Sequence, residues 1–241
     1  MNAKSFLIAL MSVMIAFQAQ AQLLKKVSGN DKYVTKELKL SDFTKVSLSH
    51  AFNVIYKVNP DSAGIVRIYA EENIMEMLSI KSEKGKLSMK LNSVRDPQFG
   101  VILVHMYSNA LQEVKCDGSG TFEIQTPIES PEISLSVTGS GQIKAESVTC
   151  GVLEASVGGS GDILVSGNVG FADLSVQGSG EIRALGLKAE SGNAIVTGSG
   201  EIRCNVEKEL KTVLTGSGKV YYEGKPAIKS RTVGSGQVIQ L

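Results

Sequence analysis

Tryptophan is absent from this 241-residue chain, and aromatic residues make up only 5% of it. Charge of one sign is missing too, because 25 lysines and arginines balance 24 aspartates and glutamates, for a formal net charge of +1 at pH 7. Proteins that bind nucleic acids combine a positive balance with aromatic side chains that stack on bases. We therefore expect no nucleic-acid partner.

Cysteine and histidine are scarce. Cys116, Cys150 and Cys204 are an odd number, so they cannot all pair within one chain. Two of them occupy repeat positions that Val, Leu, Ala or Ile fill elsewhere, which indicates small buried side chains. His50 and His105 stand alone, without the spacing of a Cys/His metal site. We expect no disulfide framework, no metal site, no catalytic residue set and no cofactor.

Long apolar runs are missing as well. The one marked run, Phe6 to Phe17, is shorter than the roughly 20 residues that a membrane-spanning helix needs. Lys4 before this run and Ala19-Gln20-Ala21 after it complete the pattern of a secretory signal peptide over residues 1–21. No cysteine follows the cleavage site to carry a lipid. The sequence predicts an exported protein without a membrane span or lipid anchor, located in the periplasm, at the cell surface or outside the cell.

What the chain does contain is a repeat. The tripeptide Gly-Ser-Gly occurs seven times in the second half, at intervals of 18 to 21 residues. Glycine alone accepts a positive φ, or a place without room for a β-carbon, at no steric cost, so we expect sharp bends at these positions. The glycines concerned are Gly118, Gly120, Gly139, Gly141, Gly159, Gly161, Gly178, Gly180, Gly198, Gly200, Gly216, Gly218, Gly234 and Gly236.

Each repeat also carries an apolar residue four positions after its first glycine. Polar and apolar residues alternate around that position, and a period of two predicts a β-strand. Units of about 20 residues that cannot bury an apolar face alone must stack on one another. The sequence therefore predicts an all-β protein, a right-handed parallel β-helix with about 18–21 residues per coil. The apolar column consists of Phe122, Ile143, Ile163, Ile182, Ile202, Val220 and Val238.

The domain organisation follows from where the repeat begins. Residues 111–241 form the repeat region, whereas residues 38–110 keep the alternation without the tripeptide and predict more irregular strands of the same domain. One short helix is expected from Glu72 to Leu78. The residues of this first half either continue the stack of coils or cap its open end. Residues 22–37 are expected to form a flexible leader.

Five charged residues of the repeat form a candidate binding site. Asp162, Glu181 and Glu201 follow the glycines of consecutive repeats at the same position, and Arg183 and Arg203 lie two residues further on. Stacked carboxylates can hold a cation or act in catalysis. We favour a solvated lattice of ion pairs, because in a parallel stack a cationic side chain lies within reach of each acid.

Several segments occur in an order that resembles a known family. They are Phe43-Thr44-Lys45-Val46, Glu72-Asn73-Ile74, Lys84-Gly85-Lys86-Leu87 and Val114-Lys115-Cys116-Asp117, the last leading into the glycine repeats. The family is called putative auto-transporter adhesin head, GIN domain, and the resemblance covers roughly residues 38–241. It implies a β-helix exported by Bacteroidetes-type bacteria and labelled as an adhesin.

These observations lead to one preferred function and two alternatives. We expect a secreted, non-enzymatic binding module whose flat polar faces contact a glycan or a surface protein. The first alternative is a carbohydrate-active enzyme that uses Asp162, Glu181 and Glu201. The second is a self-assembling structural protein of the cell envelope, a homo-oligomer joined through an unpaired strand edge at the end of the stack.

Overall fold

The computed structural model describes residues 25–92 and 94–241, so the expected signal peptide lies outside the described residues. The chain is nearly all β, with 74% of residues in strands and 3% in helices, and it forms a β-solenoid of about six turns with a mixed sheet. This confirms the predicted all-β solenoid.

The strands alternate with short bends along the whole chain. The first half contains β1 (Lys25–Ser28), β2 (Tyr33–Lys39), β3 (Lys45–Ser49), β4 (Phe52–Val58), β5 (Ile65–Glu71), helix α1 (Glu72–Met75), β6 (Leu78–Glu83), β7 (Lys86–Leu91), β8 (Val94–Gln98) and β9 (Ile102–Ser108). The repeat region contains β10 (Glu113–Gly118), β11 (Thr121–Ile124), β12 (Ile128–Gly139), β13 (Gln142–Gly159), β14 (Asp162–Gly178), β15 (Glu181–Gly198), β16 (Glu201–Gly216), β17 (Lys219–Glu223), β18 (Ala227–Gly234) and β19 (Gln237–Gln240).

Equivalent residues of successive repeats lie directly on top of one another. Ile163 pairs in parallel with Ile182, and Ile182 with Ile202, and all three side chains are fully buried. The same column continues through Phe122 and Val220. Alternate residues of each strand therefore fill the interior as apolar ladders, and each coil is stabilised by the two coils that it contacts.

The two glycines of each bend are needed for different reasons. Gly178 has a φ of +120°, a conformation that side chains with a β-carbon rarely adopt. Gly180 has no positive φ, but a β-carbon there would lie 2.6 Å from Val157 Cγ1 and closer still to Gly161 O. Between them, the N–H groups of Ser179 and Gly180 both donate to Gly159 O of the preceding coil, at 2.9 Å each. The bends thus form a continuous ladder of backbone hydrogen bonds.

Residues 38–110 both continue the stack and cap it. Strands β3 and β4 pair in parallel with β10 and β11, and strands β7 and β9 pair in parallel with β3 and β4. The two outermost strands are then covered by antiparallel neighbours, β6 on β7 and β5 on β9, with β2 beyond β5. Alternation predicts strands but not their direction, which is why the sequence left this choice open.

Two segments of the first half differ from their expected form. The expected flexible leader, residues 22–37, contains β1, paired with β8, and most of β2, which pairs with β5 over seven residues. Strand β2 lacks the apolar alternation of a half-buried strand, because it is an exposed edge held by backbone hydrogen bonds. Helix α1 ends at Met75 rather than near Leu78, because Leu78 begins β6.

The last coil is more polar and more exposed than the coils before it. Strand β18 pairs with β16, and its inward positions Ile228, Ser230 and Thr232 follow Leu210, Thr212 and Leu214 of the coil before. Every residue of β18 is exposed. This coil therefore presents mainly polar groups where the interior would otherwise meet water, as terminal repeats of stacked proteins do.

Candidate functional site

The structure brings the five charged residues of the candidate site together on one outward surface. Asp162, Glu181 and Glu201 are direct neighbours across strands β14, β15 and β16, and Arg183 pairs with Arg203 one column further along. Their side chains are all partly exposed, between 28 and 40%. Neighbouring strands of a sheet lie about 4.8 Å apart, so each charge has partners above and below it.

The arginines bridge the carboxylates of successive coils. Arg183 Nη2 lies 3.3 Å from Asp162 Oδ2, Arg203 Nε lies 2.9 Å from Glu181 Oε1, and Arg203 Nη2 lies 3.1 Å from Glu201 Oε2. Desolvation acts to lower the pKa of Arg203, but its contacts with Glu201 and Glu181 outweigh this and raise the pKa. Partly exposed pairs of this kind contribute about 0.2–1 kcal/mol each. The five residues form an ion-pair lattice on the surface.

An aromatic residue extends this lattice by one more coil. Tyr221 is the neighbour of Arg203 on strand β17, and the guanidinium carbon of Arg203 lies 4.7 Å from the centre of its ring. A cation over an aromatic face is attracted by the ring quadrupole. Tyr222, the next residue, points inward and packs against the core. The ion-pair lattice is therefore followed by an arginine–tyrosine contact on the next strand.

Two observations bear on catalysis and on cation binding at the lattice. All three carboxylates already contact a guanidinium group, whereas a general acid or nucleophile must be able to reach a substrate. In the described ranges, no group of three or more His, Cys, Asp or Glu residues could hold a metal ion. The arrangement is suited to hydrogen bonding with a partner that lies across it.

The three cysteines are buried free thiols in the interior of the described part of the chain. Burial raises the pKa of Cys116 and Cys204 to about 12 and that of Cys150 to about 11, with the charge of Asp117 adding to the effect at Cys116. The thiolate is the reactive form of cysteine. These side chains act as small apolar residues of the ladders.

Sequence reasoning missed an aromatic cluster on the capping strands. Tyr33 of β2 and Tyr69 of β5 stack with ring centres 5.0 Å apart, and they are 40% and 44% exposed. Beside them, Arg67 forms an ion pair with Glu37 and lies 5.9 Å from the ring centre of Tyr107. The antiparallel pairing of β2 with β5 creates this cluster, and no sequence motif indicates that pairing.

The aromatic cluster and the ion-pair lattice belong to one surface. Strands β2, β5, β9, β4, β11, β13, β14, β15, β16, β17 and β19 are neighbours in that order. We call the outer face the outward surface of these strands around the row described next, which in β13 to β16 is the stretch directly after each Gly-Ser-Gly bend. One row of paired residues crosses all eleven strands, and none of its members is buried. The row is Glu37, Arg67, His105, Ile55, Glu123, Lys144, Leu164, Arg183, Arg203, Tyr221 and Ile239.

The stacked Gly-Ser-Gly bends form a ridge along the solenoid, which we call the ridge of bends. A cleft lies where this ridge ends. His50 and Ala51 take the places of Gly118 and Ser119 in the preceding coil, and His50 has a φ of +90°. The cleft above them measures about 560 Å³ and is lined by His50, Ala51, Asn53, Phe99, Gly100, Val101, Gly118 and Ser119. The repeat pattern did not predict this cleft.

The chain is similar to several solved bacterial proteins. A structure described as a putative adhesin from Bacteroides fragilis matches with a TM-score of 0.84 and 24% identity, over 89% of this chain and 100% of that chain. A putative lipid binding protein from Parabacteroides distasonis matches with a TM-score of 0.75 and 26% identity, over 90% and 100%. A putative adhesin from Parabacteroides merdae matches with a TM-score of 0.72 and 24% identity, over 90% and 99%.

No curated protein shows significant similarity to the sequence. Among the helices that the structure describes, none has the length and apolar character needed to cross a membrane. The family model described as "Putative auto-transporter adhesin, head GIN domain" matches residues 42–226, which is more than half of the chain and runs from β3 to β17, leaving out β2 and the last repeat. The chain therefore belongs to this adhesin-head GIN domain family.

Proposed function

We propose that the protein is an exported, non-enzymatic, adhesin-like module that uses its outer face to bind a glycan or a protein on another surface. The observation that carries this proposal is the row of eleven side chains, none of them buried, across eleven paired strands. Ten strand spacings of about 4.8 Å give this row a length of about 48 Å. Such a length suits an extended partner rather than a small substrate.

The chemistry of the outer face supports binding through hydrogen bonds and stacking. Arginines 67, 183 and 203 each contact a carboxylate, so the face presents donors and acceptors in alternation with little net charge. Tyrosines lie at both ends of the face, where apolar ring surfaces are exposed to a partner. Neutral polar polymers such as glycans are recognised by this combination of stacking and hydrogen bonding.

A lipid ligand is less well suited to this chain, although one similar structure is described as a putative lipid binding protein. A bound acyl chain needs an apolar cavity, and the solenoid interior is filled by side chains such as Ile163, Leu174 and Val176, which are at most 1% exposed. The cleft beside His50 is open and lies at the surface. We therefore place the binding function on the outer face.

The two alternative functions are also less well supported by the geometry. An enzyme would need an accessible acid, and Asp162, Glu181 and Glu201 are all engaged by arginines. Self-assembly through the last coil is opposed by Lys229 and Arg231, because charged side chains along an edge strand resist pairing with a second copy. Membership of an adhesin family favours an exported protein, in the periplasm, at the cell surface or outside the cell.

A glycan array and a panel of immobilised surface proteins, both probed with the purified protein, test this proposal. The variant Arg203→Glu reverses one charge at the centre of the lattice, and Lys208→Glu is its control, because Lys208 forms an ion pair with Glu190 away from the outer face. We expect the wild type to bind a defined set of ligands, Arg203→Glu to lose them and Lys208→Glu to keep them. Failure of the wild type to bind any ligand, or equal binding by both variants, would overturn the proposal.

A further inference from the structure

The ridge of bends stops at His50 because the coil beyond it leaves the stack. Each bend glycine lacks a β-carbon because that atom would strike the backbone of the preceding coil, as at Gly118, where it would lie 2.7 Å from His50 O. The coil before His50 does not make a tight bend. It leaves at Leu91 and returns only at Ile102, after strand β8. The gap in the ridge gives His50 room for a side chain and creates the cleft.

His50 keeps a conformation that glycine would adopt without strain. Its φ of +90° is unusual for a residue with a β-carbon, whereas the equivalent positions of all seven repeats are glycine. Strained residues persist where the surrounding structure holds them, and they cluster at binding sites. The imidazole Nδ1 lies 2.5 Å from Ser49 O and 3.4 Å from the Leu91 nitrogen. Nε2 is thus the ring nitrogen without a hydrogen-bond partner among the described residues.

The lining of the cleft selects one kind of ligand. One wall is apolar, with Phe99 partly buried and Val101 55% exposed. The lining also contains neutral polar groups, the Asn53 amide and the Ser119 hydroxyl, together with His50. Among the lining residues that the structure describes, none is a lysine, arginine, aspartate or glutamate. A charged ligand would therefore lose its hydration without gaining an ionic partner.

We propose that this cleft, the His50 cleft, binds one neutral sugar ring, and that it is the subsite at which a glycan end is held. The apolar face of the ring packs on Phe99 and Val101, and its hydroxyl groups bond His50, Asn53 and Ser119. A volume of about 560 Å³ accommodates a single ring with room for the next unit. This inference rests on the proposed binding function and names the ligand class for one part of it.

Saturation-transfer NMR of the full chain, with the methyl glycosides of glucose, galactose, mannose, fucose and N-acetylglucosamine, tests the inference. Ala51→Phe fills the cleft, and Ser140→Phe is the matched control, because Ser140 occupies the same exposed middle position of the bend two coils further along. We expect at least one glycoside to bind the wild type and Ser140→Phe, and none to bind Ala51→Phe. Ser119→Ala should weaken binding by roughly two- to tenfold.

His50→Gly separates a binding role from a purely structural one. We expect this variant to lose glycoside binding while its melting temperature stays equal to that of the wild type or rises, because the strained φ is relieved. A lower melting temperature with unchanged binding means that His50 only terminates the ridge, and the inference is then wrong. It is also wrong if no glycoside binds the wild type or if Ala51→Phe binds normally. Array binding that depends on Arg203 but not on Ala51 would overturn the cleft and leave the proposed function intact.

Discussion

Replacing Gly180 with valine tests why the bends contain glycine. The φ of Gly180 is not positive, so the substitution creates no torsional strain, and its effect must come from steric contact. The new β-carbon would lie 2.6 Å from Val157 Cγ1 and closer still to Gly161 O. Val157 can rotate, but the carbonyl belongs to the bend of the adjacent coil and cannot retreat without breaking the hydrogen-bond ladder. Strain of this kind costs about 1–3 kcal/mol.

The expected size of the effect can be measured by thermal unfolding followed by circular dichroism. For a chain of this length, 1 kcal/mol corresponds to a change of about 2–4 °C in melting temperature, so Gly180→Val should melt about 2–12 °C below the wild type. Ser179→Ala is the control, because Ser179 is exposed in the same bend and its side chain makes no hydrogen bond to the described residues. Gly178→Ala should also destabilise, through both its φ of +120° and the contact with Gly159 O. An unchanged melting temperature for Gly180→Val would refute the steric argument.

Three further predictions concern the core and the capping strands. Ellman's reagent should find no reactive thiol in the folded protein and three after unfolding in urea, because burial raises the pKa of all three cysteines, Cys116, Cys150 and Cys204. The hydrogen bond from Arg67 holds the pKa of Glu37 below its ordinary value of 4.5, so this contact stabilises β2 above that pH and is lost as the pH falls through the lowered value. Amide hydrogen exchange in β2 should become faster at acid pH in the wild type but not in the Glu37→Gln variant. Identical pH profiles for the two proteins would contradict this prediction. Glu71 is 3% exposed and accepts hydrogen bonds from the backbone N–H groups of Asp31 and Gly100, at 2.9 Å each. Glu71→Ala should therefore lower the free energy of unfolding by about 1–3 kcal/mol and make β2 accessible to limited proteolysis. A melting curve equal to that of the wild type would show that Glu71 does not anchor these segments.

The repeat region could be predicted from the sequence because its constraint is local and recurrent. Each Gly-Ser-Gly marks one bend, so the spacing predicts the coil, and the apolar column at Ile163 and Ile182 predicts which side faces the core. The same register predicts Glu181 beside Glu201 and Arg183 beside Arg203, and these residues are neighbours in the structure. Their contact distances follow from side-chain geometry and required the structure.

The first half could not be predicted to the same depth. Whether β5 pairs with β9 in parallel or antiparallel orientation depends on the path of the connecting chain, which the alternation of residues does not encode. The stacking of Tyr33 on Tyr69 depends in the same way on the pairing of β2 with β5, and the cleft at His50 depends on the path of the chain between β7 and β9. The missing tripeptide in this half also has a structural reason, because the bend at His50 has room for a β-carbon, although its φ of +90° would suit glycine.

The two ends of the solenoid differ from each other, whereas its inner coils are alike, and this allows the number of inner coils to vary. Because each inner coil touches only the coils beside it, a whole coil can be removed without disturbing either terminus. Excision of residues 160–178 would join Gly159 to Ser179 and restore an intact tripeptide at the junction. The shortened molecule would lose about 4.8 Å of height and one rung of its surface. The length of the solenoid can thus change independently of its two ends, through the number of inner coils between them.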